Sequence, residues 1–182
     1  MQIQENISLK PYNTFGIDVR AASFVRFGSR EELEEISTSD VFKRSRHLVL
    51  GGGSNVLFRG DFSGLVLKNE IPGIEVVKEE ENHYLVKAGS GESWHGFVLH
   101  CIGKGYAGVE NLALIPGCVG AAPMQNIGAY GVELKDVFHS LEAYHIHDRH
   151  LSTFTLADCR FGYRESVFKN VEKDRWIITS VT

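Results

Sequence analysis

The chain has 182 residues, of which 43% are hydrophobic and 23% are charged, and its formal net charge is -4. This composition is ordinary for a soluble globular protein, and the length allows a substantial core. Lys and Arg are scattered without a basic stripe, which argues against nucleic-acid binding. No apolar run is long enough to span a bilayer and no signal-peptide pattern is seen, so we expect no membrane partner.

The cysteines indicate the compartment. Cys101, Cys118 and Cys159 are odd in number and lack CxxC spacing. We expect them to be buried free thiols in a reducing environment, with neither a disulfide nor a metal site. The protein is therefore expected to be cytoplasmic.

Alternating strand and helix patterns predict a compact α/β lobe between about residues 20 and 70. Strands are predicted at Ser23–Phe27, His47–Leu50 and Gly64–Lys68. Ser29 followed by Glu32 has the spacing of a capping box, which predicts a short acidic helix ending near Ile36.

Strand and helix patterns continue beyond residue 70. Strands are predicted at Ile74–Lys78, Tyr84–Ala88, Leu141–Ile146 and Leu151–Thr155, the first two and the last two as hairpins. One helical face is predicted from Trp94, Phe97, Val98, Cys101 and Ile102, with the helix closed by Gly103 and Gly105.

The last residues, Arg175–Thr182, form an apolar β-rich run without a polar tail. We interpret this run as a strand of a fold that continues beyond the chain. The alternative is an edge strand that ends the domain.

The most informative segment is Asn111–Gly131, in which small residues are mixed with apolar residues and charges are missing. Its glycines are Gly117, Gly120, Gly128 and Gly131. Glycine permits a positive φ or a close approach of backbone to a bulky group, so the segment is consistent with a wall around a large flat ligand. Tight packing against a neighbouring element explains the same composition equally well.

A second motif follows the predicted strand at residues 47–50. Gly51, Gly52 and Gly53 free the backbone to present several N–H groups to an anion, and Ser54 and Asn55 add side-chain donors. The spacing fits neither a Rossmann fingerprint nor a Walker loop. A tight turn between strands is the common alternative, but together with segment 111–131 the motif suggests a dinucleotide whose pyrophosphate lies here.

A third motif is the run DCRFGYRESVFK at residues 158–169, in which Arg164 follows Tyr163. The guanidinium fork of an enclosed arginine holds a carboxylate or stabilises developing negative charge. An ion pair with Glu165 is the competing interpretation.

Two further clusters were weighed for chemistry. His145, His147 and His150 crowd the predicted hairpin, and a His-x-His pair on one strand face is able to ligate zinc. Further ligands with suitable spacing are not evident, so we expect a solvated hairpin tip and no metal. Glu79–Glu81 is expected to be a charged turn.

Four blocks together carry a family resemblance: NTFGI at residues 13–17, LGGGSNVLF at 50–58, ENLALIPGCVGAAPMQNIGAYGVEL at 110–134 and CRFGYRESVFK at 159–169. With these blocks the chain resembles the UDP-N-acetylenolpyruvoylglucosamine reductase family, specifically its N-terminal, FAD-binding part. The blocks occur in the family's order and are spread over nearly the whole chain.

The resemblance implies an α+β, two-lobed FAD-binding fold of the vanillyl-alcohol-oxidase (PCMH) type. Residues 1–70 would be a small α/β lobe, and residues 71–182 a second α+β lobe that is cut short. FAD would be clasped between the lobes, and the substrate-binding domain would be absent from this chain.

The resemblance also implies the site residues. The FAD pyrophosphate would lie on Gly51, Gly52, Gly53, Ser54 and Asn55. The flavin side would lie along Ile115, Pro116, Gly117, Gly120, Gln125, Asn126 and Gly128. Arg164 would stabilise the charge that develops on the substrate, and no metal is implied.

The implied reaction is the reduction of UDP-N-acetylglucosamine enolpyruvate to UDP-N-acetylmuramate in peptidoglycan synthesis. NADPH reduces FAD, and the hydride then passes to the vinyl carbon of the enolpyruvyl ether. The family's proton-donating serine and its partner glutamate lie downstream of the matching residues, and Ser166 belongs to a different motif. We therefore expect this chain alone to be an inactive fragment. A non-catalytic FAD-binding module and another FAD oxidoreductase of the same fold are the alternatives.

Overall fold

The computed structural model describes residues 2–182, and the chain forms two compact units, Met1–Ile71 and Pro72–Thr182. In chain order, the first unit contains strand β1 (Gln4–Ser8), strand β2 (Arg20–Phe27), helix α1 (Arg30–Thr38), helix α2 (Asp40–Arg44), strand β3 (His47–Leu50) and strand β4 (Phe62–Asn69). A single 3-10 turn, Lys10–Tyr12, lies between β1 and β2.

The first unit is built on one four-stranded sheet in the order β1-β2-β4-β3. Strands β2, β4 and β3 run parallel, and β1 is antiparallel to β2. Because α1 and α2 return the chain from the end of β2 to the start of β3, these two strands run in the same direction. Leu65, Val66 and Leu67 on β4 are all buried, as expected for an interior strand covered on both faces. The three predicted strands of this unit are confirmed.

Helix α1 begins as predicted, although its cap differs in one hydrogen bond. The Ser29 side chain accepts a hydrogen bond from the Glu32 N–H at 3.2 Å. The Glu32 carboxylate accepts from the Gly28 N–H at 2.6 Å, whereas a capping box would use the N–H of Ser29. Leu33 and Ile36 bury the apolar face of the helix.

The second unit contains strands β5 (Ile74–Glu79) and β6 (Tyr84–Gly89), helix α3 (Trp94–Lys104), strands β7 (Gly128–Ala129), β8 (Val132–Glu133), β9 (Ser140–His145) and β10 (Leu151–Thr155), helix α4 (Leu156–Cys159) and strand β11 (Trp176–Val181). Short 3-10 turns lie at Glu110–Leu112, Val119–Ala121, Pro123–Gln125, Leu134–Asp136 and Val167–Lys169. Within residues 2–182, no helix has both the length and the apolarity that crossing a membrane requires.

The main sheet of the second unit is antiparallel and has the order β10-β9-β11-β6-β5. The C-terminal run of the chain is therefore a strand, as predicted. It lies in the interior of the sheet, so the edge-strand alternative is wrong. Ile177, Ile178 and Val181 are all buried, as is common for an interior strand. Both predicted hairpins, β5–β6 and β9–β10, are confirmed.

Helix α3 buries most of its predicted face against the sheet. The buried side chains are Trp94, Phe97, Val98 and Cys101. Ile102 was predicted to join them but is 48% exposed, because it lies at the margin of the face in the last turn. Gly103 stays inside the helix, and only Gly105 closes it, with φ 75° and an N–H that donates to the Ile102 carbonyl at 3.0 Å.

All three cysteines are buried, as predicted, and none of them is in a disulfide among the described residues. Burial raises the pKa of the Cys101 thiol to about 11. The pKa of the Cys159 thiol is raised to about 12, mainly by burial and to a smaller extent by the nearby Asp158 carboxylate. Both thiols are therefore protonated and unreactive near neutral pH.

The two glycines at the end of α3 should respond oppositely to alanine. A Cβ at Gly103 would meet nothing within 4 Å and its φ is helical, so Gly103→Ala should stabilise the chain by about 0.5–1 kcal/mol. Gly105→Ala also meets open space but places alanine at positive φ, which costs about 1 kcal/mol. Thermal unfolding followed by circular dichroism measures both. A lower melting temperature for Gly103→Ala would contradict this account of the helix end.

Candidate functional site

The glycine triplet follows β3 directly, at the edge where the parallel strands of the first unit end. Gly52 and Asn55 are exposed, whereas Gly53 is buried. Across residues 2–182, the backbone N–H groups of Gly52, Gly53, Ser54 and Asn55 donate to no acceptor of the chain. Consecutive unused amides in a glycine loop are the donors from which anion-binding nests are made.

Gly53 is required by the chain itself. Its φ is 67°, and a Cβ there would lie 2.0 Å from the carbonyl oxygen of Tyr12. The Thr14 N–H donates to the Gly53 carbonyl at 3.2 Å. The group that approaches the Gly53 backbone closely is therefore the segment after β1, which belongs to the same unit. At Gly53 this confirms the alternative in which glycine allows a tight turn.

Asn13 holds that neighbouring segment in shape. Its buried side chain donates to the carbonyls of Leu9 at 2.8 Å and Ile17 at 3.0 Å. Its Oδ1 accepts from the Ile17 N–H at 3.0 Å. The Asn13 amide thus joins Leu9, before the NTFGI motif, to Ile17 at its end, which explains why an asparagine stands at the first position of the motif.

Segment 111–131 of the second unit forms short 3-10 turns and the small β7–β8 hairpin. A Cβ at Gly120 would lie 2.5 Å from the Ser90 Cβ, and one at Gly128 would lie 2.9 Å from the Val132 carbonyl oxygen. Close internal packing therefore accounts for both glycines. Gly117 has φ 121°, a conformation that side-chain-bearing residues rarely adopt.

This segment is fixed to the loop between β6 and α3 by backbone hydrogen bonds. Gly120 N donates to Ser90 O at 2.9 Å, Val119 N to Glu92 O at 2.9 Å, and Trp94 N to Gly117 O at 3.0 Å. The buried Trp94 indole also donates to Leu112 O at 2.8 Å. Of the residues predicted to hold the flavin, those with some exposed surface are Ile115, Pro116, Gly117, Gly120, Gln125 and Gly128.

Asn126 differs from these six because it is completely buried. Its backbone has φ 45°, a left-handed conformation that asparagine tolerates better than most residues. Its Nδ2 donates to the Gly162 carbonyl at 3.0 Å, and its Oδ1 accepts from the Lys135 N–H at 3.0 Å. These bonds make it a positioning residue that joins three segments of the second unit.

Arg164 lies in a tight turn closed by reciprocal backbone hydrogen bonds between Gly162 and Glu165. It has φ 54°, at a turn position where glycine or asparagine is usual. Its Nη2 donates to the Gly128 carbonyl at 2.7 Å. The predicted competing ion pair does not form between the described residues, and the Glu165 Oε1 accepts from the Ser166 N–H at 3.3 Å.

Three long-range hydrogen bonds bring segment 111–131 and the Arg164 motif together. Two of them are the Asn126 and Arg164 bonds just described, and the third joins the Ser166 Oγ to the Met124 carbonyl at 2.7 Å. Ser166 is 1% exposed and is thereby committed to the protein. Sequence reasoning identified both motifs but missed the positioning role of Ser166, because a serine inside a motif has no pattern that reveals its partner.

A second cation lies near the backbone of Arg164. The Lys169 ammonium donates to the Arg164 carbonyl at 2.8 Å. Across the described residues, neither cation has a carboxylate partner. Lys135, by contrast, pairs with Glu133 at 2.5 Å, and this hydrogen bond lowers the pKa of the Glu133 carboxyl. The edge of the segment near Arg164 is therefore suited to an anionic group.

Comparison with known families identifies the dinucleotide. The FAD binding domain model matches residues 21–148, which cover most of the chain. This chain belongs to the FAD-binding domain family. The candidate anion loop and segment 111–131 both lie within the matched residues.

The predicted resemblance to the reductase family is also confirmed. UDP-N-acetylenolpyruvoylglucosamine reductase of Pseudomonas savastanoi pv. phaseolicola is 52% identical over 181 residues, which cover 100% of this chain and 53% of that protein. The chain thus spans about half the length of the curated relatives that it matches.

Solved structures confirm the predicted fold. The UDP-N-acetylenolpyruvylglucosamine reductase of Thermus caldophilus is 26% identical with a TM-score of 0.76, and the match covers 100% of this chain and 61% of that one. p-Cresol methylhydroxylase has a TM-score of 0.63 at 11% identity, with 97% of this chain and 37% of that chain covered. At that identity the second match shows the fold alone, which is the PCMH-type FAD-binding fold.

Replacing Asn126 should destabilise the second unit in two separable ways. Asn126→Gly keeps the positive φ but removes the buried hydrogen bonds, at a cost of about 2–3 kcal/mol. Asn126→Ala should cost about 1 kcal/mol more, because alanine also resists the left-handed backbone. Denaturant unfolding of the two variants and the parent measures the difference. Equal stability of all three proteins would show that Asn126 does not join these segments.

Proposed function

We propose that this chain holds FAD in a protein that reduces UDP-N-acetylglucosamine enolpyruvate with NADPH during peptidoglycan synthesis. The observation that carries the proposal is the 2.7 Å hydrogen bond from Arg164 to Gly128, which fixes a cationic side chain on the segment assigned to the flavin. The relatives' names support the reaction, and the family match supports the cofactor. Buried cysteines that form no disulfide among the described residues favour a cytoplasmic location.

The pyrophosphate of FAD is assigned to residues 51–55 of the first unit. Their fit rests on the four backbone N–H groups that donate to no acceptor among the described residues. The side chains of Ser54 and Asn55 add donors beside them. A doubly anionic pyrophosphate needs several such donors, and a loop with three glycines supplies them without steric interference from side chains.

The flavin ring is assigned to the second unit, along Ile115, Pro116, Gly117, Gly120, Gln125 and Gly128. This surface carries no charged side chain and is mostly apolar, and its backbone hydrogen bonds to the β6–α3 loop make it rigid. Rigid walls suit a flat aromatic ring because little entropy is lost when the ring binds. When bound, FAD supplies the hydride-transfer chemistry that protein side chains lack.

Arg164 is assigned to the substrate carboxylate. When hydride adds to the vinyl carbon of an enolpyruvyl ether, negative charge develops beside the carboxylate. A guanidinium fixed by Gly128 stabilises that charge without reorganising, and Lys169 adds a second positive charge nearby. Ser166 is bonded to Met124, so we propose that the final proton comes from the part of the relatives that this chain does not match.

A second candidate is an FAD-binding module without catalysis of its own, which the 53% coverage of the relatives favours for the isolated chain. Both candidates require FAD binding. They differ in whether Arg164 affects turnover, and the two experiments below separate them.

Adding a carboxylate to the glycine loop should weaken FAD binding. We expect Ser54→Asp to lower FAD affinity at least tenfold, because an acidic side chain would face the pyrophosphate. The matched control is Ser63→Asp, an exposed position near the start of β4, at the opposite end of the parallel strands. Titration of FAD into each purified chain, followed by flavin fluorescence, measures the affinity. Equal FAD affinities for both variants would contradict the assignment of the pyrophosphate to this loop.

Arg164→Lys should lower turnover while leaving FAD binding intact. Lysine keeps the charge but loses the planar fork, so we expect kcat to fall by about 100-fold or more. The host is a chimaera in which this chain replaces the matching residues of the Pseudomonas savastanoi reductase. Arg160→Lys is the control, since Arg160 is also exposed and has a positive φ of 47°. Unchanged NADPH oxidation in the Arg164 variant would contradict the assignment.

A further inference from the structure

The connection between β9 and β10 folds back around one histidine. Strand β9 ends at His145, and the chain returns to β10 through residues 146–150. The Asp148 N–H donates to the His145 Nδ1 at 3.0 Å, and the Arg149 N–H donates to the His145 carbonyl at 3.0 Å. The His145 N–H in turn donates to the His150 carbonyl at 2.8 Å. The turn therefore gathers its polar side chains around His145.

Three potential metal ligands meet in this turn. One ligand atom from each of His145, Asp148 and His150 lies within 4.8 Å of the others. The His145 Nδ1 is 3.0 Å from the Asp148 Oδ2, and the His145 and His150 rings are nearly parallel with centroids 5.3 Å apart. His147 is outside the group, because the strand ends at His145 and the alternation that would place both rings on one face stops there.

His145 is held rigidly while its two partners are exposed. Its side chain is 3% exposed and contacts the Trp176 ring edge-on, with centroids 4.6 Å apart. Trp176 lies directly opposite His145 in the register of β9 with β11. A fixed imidazole beside two exposed side chains gives an ion one anchored ligand and two adjustable ones. Because the His145 Nδ1 accepts from the Asp148 N–H, an ion that binds this nitrogen replaces that hydrogen bond.

The charges around His145 are compatible with a cation. The Asp148 carboxylate lies 3.0 Å from the His145 Nδ1 and supplies negative charge to the group. The neutral imidazole is the form that ligates metals. Two permanent cations lie nearby: Arg149 is in the turn itself, and Arg175 pairs with Glu172 at 3.2 Å.

We propose that His145, Asp148 and His150 bind a divalent transition-metal ion of the zinc or nickel class. Two imidazoles and one carboxylate match the ligand preference of these ions, and water would complete the coordination. Zinc bonds of about 2.0–2.2 Å place tetrahedral ligands roughly 3.4 Å apart. The ligand atoms of this group already lie within 4.8 Å of one another, so small side-chain rotations bring them to that spacing. The site lies apart from the residues assigned to FAD and does not depend on that assignment.

Zinc chloride and cobalt chloride are suitable probes for the purified 182-residue chain. We expect saturable binding of one ion with a Kd below about 100 µM by calorimetry. Cobalt should develop visible absorption bands typical of low coordination, and zinc should raise the melting temperature in a manner reversed by a chelator. His150→Gln and Asp148→Asn should each weaken binding at least tenfold.

His147→Gln is the matched control, because His147 lies in the same turn but outside the three ligands. It should leave the affinity unchanged, and circular dichroism confirms that every variant is folded. Non-saturating binding to the parent chain would overturn the proposal. An equal loss of affinity in His147→Gln and His150→Gln would also overturn it, since it would show diffuse binding to surface histidines.

Discussion

The candidate site of the second unit depends on the buried side chain of Asn126. The side-chain amide of Asn126 forms hydrogen bonds with the Gly162 carbonyl and the Lys135 N–H. It thereby connects segment 111–131 to the turn that carries Arg164. Each of these buried polar groups would destabilise the fold by about 1–3 kcal/mol if it lacked a hydrogen-bond partner, so the fold strongly favours this arrangement. The bonds of Ser166 to Met124 and of Arg164 to Gly128 complete the same junction. A cationic side chain is thereby held against an apolar, glycine-rich surface.

Glycine serves two different purposes in this chain. At Gly53 and Gly120 the space of a side chain is occupied by other parts of the same unit, namely Tyr12 and Ser90. At Gly52 the backbone is exposed and its N–H donates to no acceptor among the described residues. The first use lets the loops pack tightly enough to be rigid, and the second leaves donors for a ligand. A rigid loop with unused donors is what pre-organised anion binding requires.

The sequence predicted the elements well wherever a local physical rule decides them. Ser29 caps α1, Gly105 ends α3, and the alternating residues after Leu141 pair with those after Leu151. Predictions failed where packing at the end of an element decides which side chains are buried and where the element stops. Ile102 has the right periodicity but lies at the margin of its helical face, and Gly103 has space to remain helical.

The family was predictable from the sequence alone, and the assignments of the cofactor motifs and of Arg164 rest on the sequence too, because all of these depend on residue types at fixed spacings. Only the tertiary structure decided which groups meet. It placed Arg164 on Gly128 instead of Glu165, and it grouped His145 with Asp148 and His150 instead of His147. The physical reason is that hydrogen bonds and ligand clusters need a particular distance and direction. Those follow from the turns and strand ends that only the folded chain sets.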